Sequence, residues 1–138
     1  MTGETVGARI EPVWLESDVA FAIHDRQLAE HGGGTGVRDT GALESALARP
    51  VNRWVYGEDD LCALAAAYAF GVARNHPFAD GNKRAAFLAT GLCLALNGWR
   101  LTASQADATV AVMTLAAGEL EESAFAAWLR SHIAPRSR

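Results

Sequence analysis

Nine consecutive residues, His76-Pro-Phe-Ala-Asp-Gly-Asn-Lys-Arg84, place a proton acceptor, a carboxylate, a glycine, an amide and two cations side by side. Histidine is the side chain best suited to exchanging a proton near neutral pH, so His76 reads as a general base toward an attacking hydroxyl. Gly81 lets an oxygen-rich ligand approach the backbone without a Cβ in the way, and Asn82 adds an amide donor. Lys83 brings a mobile point charge and Arg84 a planar fork, a combination suited to several phosphate oxygens. Asp80 would repel that phosphate unless a cation lay between them, and magnesium, held by a carboxylate together with substrate phosphates, is the usual solution. A zinc site is weaker, because no further His or Cys lies nearby at ligand spacing. Phe78 reads as a core anchor for the loop, and Pro77 stiffens the same turn.

The elements around this stretch must hold it still. Long apolar segments precede and follow it, and both read as largely buried helices: Leu61–Asn75, capped by Asp59 or Asp60, and a helix starting near Gly81 or Asn82 and running to Asn97, stopped by Gly98. The start of the second helix presents unpaired N–H groups and a partial positive charge, which make an anion site. As a merely solvated turn the segment would be costly, since each cation at a helix N-terminus is disfavoured by about 0.3–1 kcal/mol unless an anion compensates.

Further out, apolar residues from Val13 to Glu30 recur at helical spacing, with Ser17 or Asp18 as cap. His24, inside that helix, reads as a packed or capping group before it reads as a catalyst. The run His31-Gly-Gly-Gly-Thr-Gly36 stops the helix and lacks the pattern of a phosphate-binding loop. Asp39 can cap a short second helix that Pro50 ends. Val51–Gly57 reads as a loop or small hairpin. Its Trp54, Val55 and Tyr56 are either half-packed anchors or a surface for a polypeptide substrate. Ser104 with Asp107 starts a fifth helix closed by Gly118, and a sixth spans Glu121–Ile133. The expectation is an all-α single domain, a bundle of about six helices around two buried central ones, with a loose lead-in at 1–12, the domain at 13–134 and a tail at 135–138.

Composition narrows the function. Of 138 residues half are apolar and a fifth charged, so one ordinary globular core is expected. The net charge of −4 argues against coating nucleic acid. Cys62 and Cys93 sit in apolar runs as small buried hydrophobes. With no leader of the secretory kind, and no uncharged run approaching about 18–20 residues, the reading is a soluble cytoplasmic protein without membrane contact.

The motif resembles the signature of the Fic/Doc family, His-x-Phe-x-Asp/Glu-Gly/Ala-Asn-Gly/Lys-Arg, and matches every fixed position, most closely in its Doc (death-on-curing) branch. His24-Asp25 and His31 through Leu47 resemble the N-terminal half of that branch, so the likeness covers roughly residues 15–130. The resemblance implies a catalytic base at His76, a magnesium ligand at Asp80, and a nucleotide phosphate cradle from Gly81 through Asn82 and Lys83 to Arg84. Family members that transfer AMP usually carry glycine where this chain has Lys83. In Doc-like proteins the lysine accompanies an inverted ATP that presents its γ-phosphate. The resemblance therefore implies a toxin of a toxin–antitoxin pair that phosphorylates a threonine of a translation factor such as elongation factor Tu, restrained by a Phd-like antitoxin. AMP transfer and a catalytically decayed binding module are the alternatives. The loop Val51–Tyr56 corresponds to the family's target-registering flap. Thr40 to Glu44 departs from the self-inhibitory pattern at Ser45, so no self-inhibition is expected.

Overall fold

The structure is a computed structural model and describes residues 5–6, 9–22, 25, 39–78 and 81–136. Six helices are seen among these residues: α1 (17–22), α2 (Thr40–Val55), α3 (Leu61–Asn75), α4 (Asn82–Leu96), α5 (Gln105–Ala116) and α6 (Glu122–Arg130). Two small antiparallel pairs accompany them, β1 (Thr5–Val6) with β2 (Arg9–Ile10), and β3 (Trp99–Leu101) with β4 (Ile133–Pro135). The fold is all-α, as the sequence pattern implies.

Helix α3 is the axis. Residues 62–69 and 71–73 are all buried, and the helix packs against α2, α4, α5 and α6. Its many alanines make this possible, because a helix without bulky side chains can be approached from several sides. The closest approach is at Gly71, where an added Cβ would lie 2.9 Å from Ala46 Cα and 3.2 Å from its carbonyl oxygen. Helix α4 buries one stripe, Ala85, Ala86, Ala89, Thr90, Cys93 and Leu94, and keeps Lys83, Arg84 and Leu96 in solvent. Thr90 satisfies its buried hydroxyl by donating to the Ala86 carbonyl at 2.8 Å.

The helix starts follow local chemistry. Asp39, Asp60 and Ser104 accept N–H bonds from Ala42, Cys62 and Asp107 respectively, each covering one orphan donor. Helix α1 begins at Ser17 and not at Val13: Val13 exchanges hydrogen bonds with the Asn97 side chain, and the Leu15 N–H donates to the buried Tyr68 hydroxyl at 2.8 Å. Burial holds the Tyr68 phenol above its usual titration range, which the bond from Leu15 opposes. His24 and the glycine run 31–36 lie outside the described residues.

Expectations about the ends of α2 and α6 are overturned as well. Pro50 does not end α2, and Val51–Val55 is helical rather than a loop or hairpin. The missing Pro50 N–H costs one helical bond, but Trp54 is only 7 % exposed, in edge contact with Trp14 and beneath the Arg9 guanidinium, so packing further along carries the helix through. At the other end α6 stops at Arg130, and residues 133–135 become β4 by pairing with β3, Trp99 opposite Pro135 and Leu101 opposite Ile133.

Candidate active site

Helices α2 and α3 run antiparallel, and three contacts fix their register. Ala46 meets Gly71, the Asn75 amide donates to the Ala42 carbonyl at 3.5 Å, and the Asp39 N–H donates to the Pro77 carbonyl at 3.0 Å. The last of these hangs the motif loop from the N-cap of α2. His76 is the C-cap of α3, exposed and left-handed at φ 52°, which turns the chain sharply out of the helix. Pro77 and Phe78 are buried behind it, with Phe78 2 % exposed, so the loop is anchored from its inner side.

Gly81 is the N-cap of α4 in the left-handed region at φ 77°, a conformation that favours glycine, and it has no side chain to cover the first turn. The first turn of α4 thus brings its backbone N–H groups together with two full charges. Lys83 and Arg84 are both exposed, and neither forms an ion pair with another described residue. Lys83 is also the single lysine of the chain, every other cationic side chain among the twelve being arginine.

Asn82 is engaged elsewhere. Its side-chain oxygen accepts the Phe78 N–H at 3.0 Å, and its nitrogen donates to the Phe78 carbonyl at 3.1 Å. This reciprocal pair spends the Asn82 side chain on bracing Phe78 against the start of α4, leaving its backbone N–H at the anion site. Asp80 lies outside the described residues. No group of three His, Cys, Asp or Glu among the described residues is placed to hold an ion.

The structure brings His76, Gly81, Asn82, Lys83 and Arg84 to one end of α3 and separates them from Trp54, Val55 and Tyr56. The α2–α3 register sets those three beside the first turn of α3, roughly 20 Å from His76 at 1.5 Å per residue. Trp54 is a core anchor there, while Val55 and Tyr56 are 61 % and 90 % exposed. The hairpin flap is thus corrected to the end of a helix distant from the motif.

A model of the Fic/DOC family matches residues 14–94, which include α1 through most of α4 and the whole motif. This chain belongs to the Fic/Doc family. It is 38 % identical over 119 residues to the protein kinase doc of Escherichia phage P1, covering 84 % of this chain and 92 % of that protein. It is 47 % identical over 75 residues to the toxin Doc of Mycolicibacterium smegmatis, covering 52 % of this chain and 57 % of that protein. The likeness to the phage protein extends beyond the motif, as the Doc-branch features upstream imply. No helix among the described residues is long and apolar enough to cross a membrane.

One feature escapes sequence reasoning. Arg49 and Arg53 of α2 share the carboxylate of Glu122, in the first turn of α6, and the Arg49 and Arg74 guanidiniums lie against the ring of Phe70 at 4.5 and 5.4 Å. The i, i+4 spacing of Arg49 and Arg53 puts them on one helix face, which is visible in the sequence, but their partners come from two other helices, α3 and α6.

Proposed function

We propose that this chain is a Doc-like toxin: a nucleotide-dependent protein kinase that moves the γ-phosphate of ATP to a hydroxyl of a translation factor. The observation that carries the reading is Lys83 beside Arg84 in the uncapped first turn of α4, both exposed and without a carboxylate partner among the described residues. A lysine at that position occupies the space a glycine leaves for an α-phosphate and offers its charge to the terminal phosphate. The likeness to a relative named a protein kinase supports the same choice.

In this reading the backbone N–H groups of α4 and the two cations hold the triphosphate, and His76, at the mouth of the loop, takes the proton of the incoming hydroxyl. The oxygen forms a bond to the γ-phosphorus as the bond to the β–γ bridging oxygen breaks, and ADP leaves with that electron pair. Positioning and charge neutralisation do most of the work in such transfers. Magnesium, held by Asp80 with the phosphate oxygens, would neutralise charge on the nucleotide when bound. A Phd-like antitoxin as restraint, elongation factor Tu as target and a cytoplasmic site of action belong to the same reading.

ATP labelled separately at the α- and γ-phosphate and incubated with the protein and a bacterial lysate tests it. Transfer of γ-label alone is expected, abolished in His76→Ala. Transfer of α-label would replace phosphorylation with AMP addition. Growth arrest that persists on expression of His76→Ala would point to a binding module instead.

A further inference from the structure

The motif does not account for the arginines on the face shared by α2, α3 and α6. Arg74, Phe70, Arg49, Glu122 and Arg53 form a continuous chain of contacts. That series has three guanidiniums and one carboxylate. Glu122 is nearly enclosed, at 11 % side-chain exposure, whereas Arg49 and Arg53 keep 39 % and 40 %. Arg74 is exposed and has no carboxylate partner among the described residues. Like charges at i, i+4 on a helix oppose its formation, and Glu122 can compensate only one of the two on α2.

An excess of fixed positive charge on a chain whose net charge is −4 makes a local surface that an anionic partner would complement. Each guanidinium is held in place, Arg49 and Arg53 by Glu122 and Arg74 by Phe70, so little rotamer freedom is lost when a second anion binds. The stripe opens into a cleft of about 600 Å³ lined by Ser45, Arg49, Asn52, Arg53, Tyr56 and Glu58, among others. Tyr56, 90 % exposed, offers an aromatic surface at its end.

We propose that this stripe is a docking site for an extended acidic segment of the protein that receives the transferred group. The inference rests on the transferase reading above. By the α2–α3 register, Arg74 and Arg53 are separated by roughly 15 Å along the helix pair, a span of about five extended residues. Arg74 lies in the last turn of α3, two residues before His76, so the stripe ends at the same end of the helix as the motif. At the far end Glu58 lines the cleft without an ion-pair partner among the described residues, while Asp59 and Asp60 beyond it are paired with Arg9 and Arg130. Carboxylates are therefore favoured over the arginines and disfavoured beyond Tyr56, which sets the direction and register of the segment. That acidic rim, with the negative net charge, favours a polypeptide over the evenly charged backbone of a nucleic acid.

The test uses the full chain and the variants Arg74→Gln and Arg74→Gln/Arg53→Gln, which leave the Arg49–Glu122 pair intact. Probes are a fluorescent dodecapeptide of alternating glutamate and tyrosine, the same peptide with glutamine for glutamate, and a twelve-nucleotide single-stranded RNA. Anisotropy is expected to show binding of the glutamate peptide only, weakened at least tenfold in the double variant. In the labelling assay, the double variant should need about tenfold more lysate protein for half-maximal transfer, with the plateau and the affinity for ATP unchanged. The proposal is overturned if the glutamate and glutamine peptides bind alike or not at all, if RNA binds in their place, or if the plateau falls in step with the half-point. A wild-type protein that transfers no label from ATP overturns the transferase reading. Peptide binding undiminished in the variants overturns the docking stripe by itself.

Discussion

At its N-terminal end α3 begins in a corner where charges meet opposite charges: Arg9 pairs with Asp59, Arg130 with Asp60, and the Asp60 carboxylate also caps the helix. At its C-terminal end the chain turns through His76 into α4, where Lys83 and Arg84 face solvent with no carboxylate partner among the described residues. Among the described residues, the same helix thus carries one end where cations are paired with carboxylates and one end where two cations are not. Closed pairs fasten elements to one another. Open cations at a helix N-terminus cost stability and are retained where a ligand supplies the missing charge.

If this contrast is correct, substitutions at the two ends separate activity from stability. The largest effect is expected at the open end: Arg84→Ala should lower initial rates of label transfer by about 10²–10³-fold while the melting temperature stays within about 2 °C of wild type. A melting point lowered by several degrees would show that Arg84 is part of the scaffold. Gly71→Ala affects both ends through the helix pair itself, because its methyl would meet the Ala46 backbone. It should destabilise by about 1–3 kcal/mol in urea unfolding, and a neutral result would mean that α2 shifts freely.

Asn82→Ala sharpens the comparison from within the motif. Losing two bonds to Phe78 should raise hydrogen exchange at the Phe78 amide and slow transfer about tenfold without weakening ATP binding. A matching loss of ATP affinity would return the side chain to the phosphate. At the closed end, Asp60→Ala should cost about 1 kcal/mol, or about 4 °C in melting temperature, mostly as a lost cap because the Arg130 pair is half exposed. Transfer at 25 °C should be unchanged, and a large rate loss would break the contrast.

The smallest effect is expected between the two ends, in the core. Burial pushes the Cys62 and Cys93 thiols up from 9.0 to about 11 and about 12, with Asp60 adding to the effect at Cys62 and Cys93 also raised by Cys62. Both folded values lie above the unfolded one. Their contribution to stability is therefore complete below about pH 9 and is lost as pH rises through 11 to 12. A thiol reagent at pH 8 should modify neither cysteine until denaturant unfolds the chain, and rapid reaction of the native protein would refute their enclosure.

Features decided within a few residues were legible in the sequence. Asp39, Asp60 and Ser104 announced their helices because a cap needs only the next turn, and α3 was read to its exact limits from an apolar run between Asp60 and His76-Pro77. The motif could be read for the same reason, as its residue types are contiguous. Pro50 misled, because the sequence shows the lost N–H but not the contacts of Trp54 with Trp14 and Arg9 that outweigh it. The β3–β4 pair was hidden by its brevity and by the thirty-odd residues between its strands. Asn82 could serve a phosphate or a backbone equally well, and only coordinates distinguish the two. The arginine stripe was hidden because α2, α3 and α6 must come together before it exists.

Lys83 also has a practical consequence. A chain that draws all its other cationic side chains from arginine offers reagents specific for primary amines a single side-chain address, in the first turn of α4. Reductive methylation with ¹³C-formaldehyde would place one side-chain resonance there, distinguishable from the α-amine of the chain. Its displacement on titration with ATP, ADP or AMP would report directly which phosphate lies against the amine.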